Sequence, residues 1–235
     1  MNLTNNIITE LKRRSQPEKA QQMLRFFKTG KGEYGENDKF LGLTSAEIRE
    51  VAKANKTADF TTLSRLLESE YHEIRMCGGF ILVEQFKKAR DTASQKIIVD
   101  FYLDHLQSFN NWDLVDSTCY NILGNYLLKQ DDRSILYELA DSGHLWSQRV
   151  AMVSTMAFLR KEQFEDTFKL AELLLHHPHD LMHKAVGWLL KEAGKRNRNR
   201  LNSFLDQFAK EMPRTMLRIA IEKHPPEVIE KYMQR

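Results

Sequence analysis

The chain has 235 residues, 42% hydrophobic and 29% charged, which supplies a substantial core but no uninterrupted apolar run near the ~20 residues of a membrane span. Its two cysteines, Cys77 and Cys119, lie far apart and outside any C-x-x-C spacing, which excludes a disulfide framework and a cysteine-rich zinc site, and 10 glycines with 5 prolines argue against an all-β sandwich. The net charge of +3 divides unevenly: 11 Lys/Arg face 7 Asp/Glu over residues 1–56, 12 face 19 over 57–183, and 12 face 6 over 184–235.

Two basic ends around an acidic middle suit a protein that grips a polyanion from both sides, although solvated helix surfaces of mixed sign account for charge alone equally well. The N-terminus, MNLTNNIITELKRR, lacks the apolar region of a signal peptide, so a cytoplasmic protein is expected.

Apolar residues recur at helical spacing nearly throughout, and strand-like alternation is scarce. The pattern predicts helices near 3–14, 17–28, 45–55, 60–70, 72–89, 92–107, 112–129, 133–142, 145–160, 163–176, 181–196, 199–210, 213–223 and 226–233. A capping box, Thr44-Ser45-Ala46-Glu47, opens the third. Thr29 to Leu43 is the one long irregular stretch.

Arg75-Met-Cys-Gly-Gly-Phe-Ile-Leu aligns with Arg149-Val-Ala-Met-Val-Ser-Thr-Met, Lys184-Ala-Val-Gly-Trp-Leu-Leu and Arg218-Ile-Ala-Ile, at intervals of 74 (two units of 37), 35 and 34 residues. A missing unit falls on the helix that starts at Trp112. Helical pairs at this period predict an all-α, HEAT-like solenoid, a single domain over 1–235, with its second helices lining a concave face.

Several segments could carry chemistry. Gly30-Lys31-Gly32-Glu33-Tyr34-Gly35 fits neither a P-loop nor a dinucleotide fingerprint. In Asn110-Asn111-Trp112-Asp113-Leu114-Val115-Asp116, Trp112 and Asp116 are i and i+4 and share a helix face. Asp113 reads as a first-turn carboxylate favoured by the helix dipole, whereas Asp116 sits among Val115, Cys119 and Tyr120, where a carboxylate needs a partner or a task. One repeat onward, Arg149 offers an ion pair or a phosphate contact. One further, Lys184-Ala185-Val186-Gly187-Trp188 sets a base and an aromatic at i, i+4, its small residues allowing close packing. His176-His177-Pro178-His179 with His183 lacks the Glu of H-E-x-x-H, and no metal site is expected there; the histidines read as complements to a helix-end dipole.

These residues together resemble the AlkD-type DNA alkylation repair glycosylases. The likeness is carried by Asn111-Trp112-Asp113-Leu114-Val115-Asp116, Trp146-Ser147-Gln148-Arg149 and His183-Lys184-Ala185-Val186-Gly187-Trp188, with Gln16-Pro17-Glu18-Lys19-Ala20 and Phe40-Leu41-Gly42 matching an N-terminal pattern. The resemblance implies a HEAT-like fold and hydrolysis of the N-glycosidic bond of cationic N3- and N7-alkylpurines in duplex DNA, without base flipping and without metal or cofactor.

It makes Asp116 the catalytic acid, Arg149 its basic neighbour, and Trp112 and Trp188 the aromatics around the lesion deoxyribose. Lys184, Lys191, Arg196, Arg198, Arg218, Phe26 and Thr44 are the expected DNA contacts. The expected partner is double-stranded DNA with alkylated bases, bound by a monomer that needs neither a membrane nor a protein partner. Two departures stand out: Phe26 replaces a Tyr of the family pattern, and Thr44-Ser45-Ala46 replaces a Gln-Thr-Pro segment. The alternatives are a non-catalytic DNA-structure binder and a protein-binding scaffold.

Overall fold

Seven helix starts among the described residues are marked by a side chain that accepts a hydrogen bond from an otherwise orphaned amide. Asn2 accepts from the Thr4 amide, Asp59 from Thr62, Asp91 from Ser94, His144 from Ser147, His179 from Leu181 and Asn197 from Arg200. The Thr44–Glu47 capping box is complete in both directions, and Pro17 and Pro226 stand in first turns, where a missing N–H costs nothing. Each such polar cap contributes about 1 kcal/mol.

The computed structural model describes residues 2–234. It is all-helical, a helical-repeat fold, and the described residues contain no strand beyond one parallel bridge between Lys39 and Tyr71. No helix among them is long and apolar enough to cross a membrane. The chain divides into two compact units, Met1–Thr118 and Cys119–Arg235.

The first unit holds α1 (Leu3–Arg13), α2 (Pro17–Phe26), α3 (Ser45–Ala54), α4 (Phe60–Leu67), α5 (His72–Lys88), α6 (Thr92–Asp104) and α7 (Trp112–Thr118). Its axis is α5, buried on nearly every side and packed by α1, α3, α4, α6 and α7. The second holds α8 (Asn125–Leu127), α9 (Ser134–Asp141), α10 (Leu145–Ser154), α11 (Met156–Leu159), α12 (Glu165–Leu173), α13 (Asp180–Arg196), α14 (Arg198–Phe208), α15 (Arg214–Ala220) and α16 (Pro226–Met233). Here α13 is central, with α10, α12, α14 and α15 against it. A Cβ on Gly187 would come within 2.7 Å of the Met216 carbonyl oxygen, so glycine is what lets α13 and α15 approach so closely.

The repeat read from sequence has a structural counterpart. Arg75 is the fourth residue of α5, and Arg149, Lys184 and Arg218 are each the fifth of α10, α13 and α15. Two expected helices are interrupted. In place of one helix over 112–129, α7 stops at Thr118 and Tyr120–Gly124 is π-helical, while 145–160 breaks at Thr155. Both breaks fall at a threonine whose hydroxyl donates back into its own helix, Thr118 to the Leu114 carbonyl at 2.6 Å and Thr155 to that of Met152 at 2.8 Å. Such back-bonding competes with the regular ladder and bends helices.

Candidate active site

The start of α7 and the loop before it are anchored by polar side chains of α5. Two buried cations near the start of α5 hold them. Arg75, 5% exposed, donates from Nε to the Ser108 carbonyl (3.2 Å), from Nη1 to that of Ser69 (2.9 Å), and from Nη2 to Asn110 Oδ1 (3.0 Å) and the Asp38 carboxylate. His72, 2% exposed, lies between two carboxylates, with Nδ1 3.0 Å from Asp38 Oδ2 and Nε2 2.8 Å from Asp113 Oδ2.

A neutral imidazole has one N–H and could donate to only one of them; an imidazolium serves both. Burial pulls the His72 pKa down, but the charge of Asp113, its hydrogen bond and those of Asp38 outweigh it and raise the pKa to about 9. Burial likewise works against the Asp38 carboxylate, yet His72 and Arg75 hold its pKa below the ordinary value. Asp113 is therefore more than a complement to the helix dipole. One oxygen accepts from the Leu114 amide at 2.8 Å while the other grips α5 through His72.

Glu73, 1% exposed, fixes the segment opposite. Its carboxylate accepts from the amides of Leu41 (2.9 Å), Gly42 (2.8 Å) and Leu43 (3.2 Å). Gly42 itself has φ +84°, and a Cβ there would meet the Gln16 carbonyl oxygen at 2.3 Å. Phe40, carried next to this segment, stacks on His72 (centroids 4.8 Å apart) and on Phe27 (5.0 Å), and Phe27 stacks in turn on Trp112 (5.7 Å). Trp112 thus has its ring set by an aromatic cluster and its backbone by Asn111, whose Oδ1 accepts the Trp112 amide at 2.8 Å.

Of the expected site residues, Trp112, Asp116 and Phe26 fall in this region. Trp112 and Asp116 are half-buried and one turn apart on α7. Phe26, 64% exposed, sets its ring against Trp112 at 6.0 Å with planes 66° apart. Thr44 is exposed, with its hydroxyl occupied by Glu47 in the cap of α3.

The remaining candidates belong to the second unit. Trp188 is half-buried on α13. Arg149 is 5% exposed, and its Nη1 donates to the Leu181 carbonyl at 2.6 Å, so part of its donor capacity is engaged within the protein. Lys184 pairs with Asp180 (2.7 Å), Lys191 with Glu222 (2.8 Å) and Arg196 with Glu192 (3.0 Å). Arg198, half-buried at the start of α14, and exposed Arg218 on α15 make no ion pair among the described residues. The expected dipole-complementing role of the histidine run gives way to direct hydrogen bonding. His179 Nδ1 accepts from the Leu181 amide that opens α13, His183 Nε2 bonds the His177 carbonyl, and His177 Nε2 bonds Gln148 Oε1 at 2.9 Å.

The chain matches the family model described as DNA alkylation repair enzyme over residues 7–224. It belongs to the DNA alkylation repair enzyme family. Among solved structures it is similar to one titled "Predicted DNA alkylation repair enzyme from Enterococcus faecalis", with a TM-score of 0.64 and 14% identity over 90% of this chain and 97% of that one. At that identity the likeness concerns the fold. No curated protein matches the chain. Membership in the DNA alkylation repair family supports a role in the repair of alkylated DNA.

Sequence reading missed His72, Asp38, Glu73, Phe27 and Phe40 as parts of this region. A signal was present in His72-Glu73-Ile74-Arg75, three ionisable residues placed directly before the uncharged run 76–83 of the same helix.

Proposed function

We propose that this member of the DNA alkylation repair family is a monofunctional DNA glycosylase that hydrolyses the N-glycosidic bond of cationic N3- and N7-alkylpurines in duplex DNA without extruding the base. The observation that carries the reading is the start of α7. Trp112 and Asp116 lie a turn apart on a helix pinned by buried ion pairs, with an exposed aromatic, Phe26, at its edge.

An alkylated purine that already bears a positive charge is an activated leaving group. When its bond to C1′ breaks, the base takes the electron pair and departs neutral, and the positive charge passes to the deoxyribose. Water then forms the new bond to C1′ and gives up its proton to Asp116 or to solvent. The demanding step is the sugar cation. A carboxylate held ~4 Å from it gains about 4 kcal/mol at an effective dielectric of 20, and each ~1.4 kcal/mol is a factor of ten in rate. Asp116 alone can thereby supply a rate gain of roughly a thousandfold.

Trp112 offers a ring face for the sugar edge or the cationic base and excludes bulk water there; the family resemblance gives Trp188 the same kind of task. Arg149, buried and bonded to the Leu181 carbonyl, acts in this scheme as a positioning residue more than as a phosphate clamp.

The test is direct. Purified protein incubated with a duplex carrying one N7-methylguanine should release the free base and leave an abasic site. Asp116→Asn should lower single-turnover release about a hundredfold or more while DNA affinity stays similar or rises. Undiminished release by Asp116→Asn would remove the proposed mechanism, and no release by the wild-type protein would remove the glycosylase.

A further inference from the structure

We propose that His72 is a positioning residue for base release, a buried imidazolium that locks the first turn of α7 and so sets the aim of Trp112 and Asp116. The inference rests on the glycosylase reading for its functional consequence and on the geometry of the first unit for its physical content.

His72 touches the start of α7 by two routes. Through Nε2 it holds Asp113, the residue after Trp112 and three before Asp116. Through its ring face it packs on Phe27 at 5.0 Å, and Phe27 stacks on Trp112. Backbone and ring of Trp112 therefore both depend on where His72 sits. Arg75, one turn along α5, ties the preceding loop by Ser108 and Asn110, which leaves His72 as the tie to the helix itself.

The charged groups around the imidazole are few. Asp38 comes from the loop before α3, Asp113 from α7 and Arg75 from α5, the last reaching His72 only through Asp38. Glu73 turns to the amides of Leu41, Gly42 and Leu43. Lys39 pairs with Glu70 at the surface. Phe27 and Phe40 supply apolar faces. Two buried cations thus meet two carboxylates, and the balance fails if the imidazole is neutral: one ring nitrogen would then present a lone pair to a carboxylate oxygen.

His72 is not itself a proton donor to substrate, because it is 2% exposed and both nitrogens are engaged. Its effect is indirect. A catalytic group displaced by about 1 Å can lose about a hundredfold in rate.

The experiment compares wild type, His72→Gln, Asp113→Asn and the double variant His72→Gln/Asp113→Asn, on a duplex with one N7-methylguanine, below the melting point of each. His72→Gln should slow single-turnover base release ten- to a hundredfold with DNA affinity changed less than about threefold, and the double variant, whose two amides can pair, should recover part of that loss. The rate of wild type should hold from pH 6 to 8 and fall above it, and Asp113→Asn should move that fall to lower pH.

Nitrogen-15 NMR should find the His72 ring doubly protonated at pH 7.5, and His72→Gln should shift the Trp112 indole N–H signal while leaving those of Trp146 and Trp188 in place. A folded His72→Gln with wild-type release rate, a neutral His72 ring, or an unmoved Trp112 signal would each overturn the proposal. If wild-type protein releases no base, the glycosylase reading fails, and the two NMR measurements still decide whether His72 positions Trp112.

Discussion

Replacing Asp113 by Asn should cost stability in a way that depends on pH, and the size of the effect follows from His72. The imidazole titrates near its ordinary 6.5 in the unfolded chain and at about 9 in the folded one. At about 1.4 kcal/mol for each tenfold change in proton affinity, that difference contributes about 3 kcal/mol to folding. Because the folded value is the higher one, that contribution is complete below pH 6.5 and is lost as pH rises through 9.

Asp113 supplies the largest of the favourable contributions. At pH 6 to 7 the Asn variant should therefore be less stable than wild type by on the order of 2–3 kcal/mol, within the range for losing a hydrogen bond between charged groups. At pH 10 the imidazole is neutral in both proteins, and the difference should shrink to about 1 kcal/mol, that of one hydrogen bond. Urea unfolding followed by circular dichroism at pH 6, 7, 8, 9 and 10 measures it. Lysines and tyrosines that titrate near pH 10 do so in both proteins and cancel in the difference. A cost that stays constant from pH 6 to 10 would show that His72 is neutral in the folded state and would refute the imidazolium argument. Asp38 sets the acid side: its folded pKa is lowered from 3.8, so its contribution is present above that value and is lost as pH falls through the depressed one.

Other consequences are simpler to state. Gly42→Ala forces a side chain into a positive φ and against the Gln16 carbonyl, and should destabilise the protein by more than about 2 kcal/mol in thermal or urea melts. Phe26→Ala removes an exposed ring that touches Trp112, so base release or DNA affinity should fall several-fold with little change in melting temperature, whereas Phe26→Tyr should keep both. For duplex DNA, log K should fall linearly with log salt concentration. Arg218→Ala should reduce the slope by about one unit if that residue meets a phosphate, and Lys191→Ala, whose Lys is already paired with Glu222, should reduce it less. A salt-independent affinity would instead favour the protein-binding scaffold.

What could be read from the sequence was what is local in the chain. Helix positions follow from apolar spacing and from local caps such as Thr44, which acts within three residues. The relation of Trp112 to Asp116 is one turn of one helix and needs no tertiary information. The interruptions at Thr118 and Thr155 were hidden because a hydroxyl that bonds back into its helix is indistinguishable in sequence from one that points to solvent. Arg149 is the converse case: its charge is evident in sequence, but its burial and its bond to the Leu181 carbonyl, 32 positions away, are not.

The buried network around His72 shows why the non-local part stayed unread. Its members lie 34 to 41 positions apart in the chain, about one repeat, and no periodicity marks them as partners. A helical repeat supplies one approximate spacing at which side chains of successive units come into register. The repeat explains how such an encounter can arise; only the chemistry of the residues explains why it persists. Asp38, His72, Arg75 and Asp113 would each be costly to bury alone, and as two cations between two carboxylates they are mutually dependent. That dependence ties the start of α7 to α5, and the candidate catalytic carboxylate stands one turn further along the same helix, half-buried.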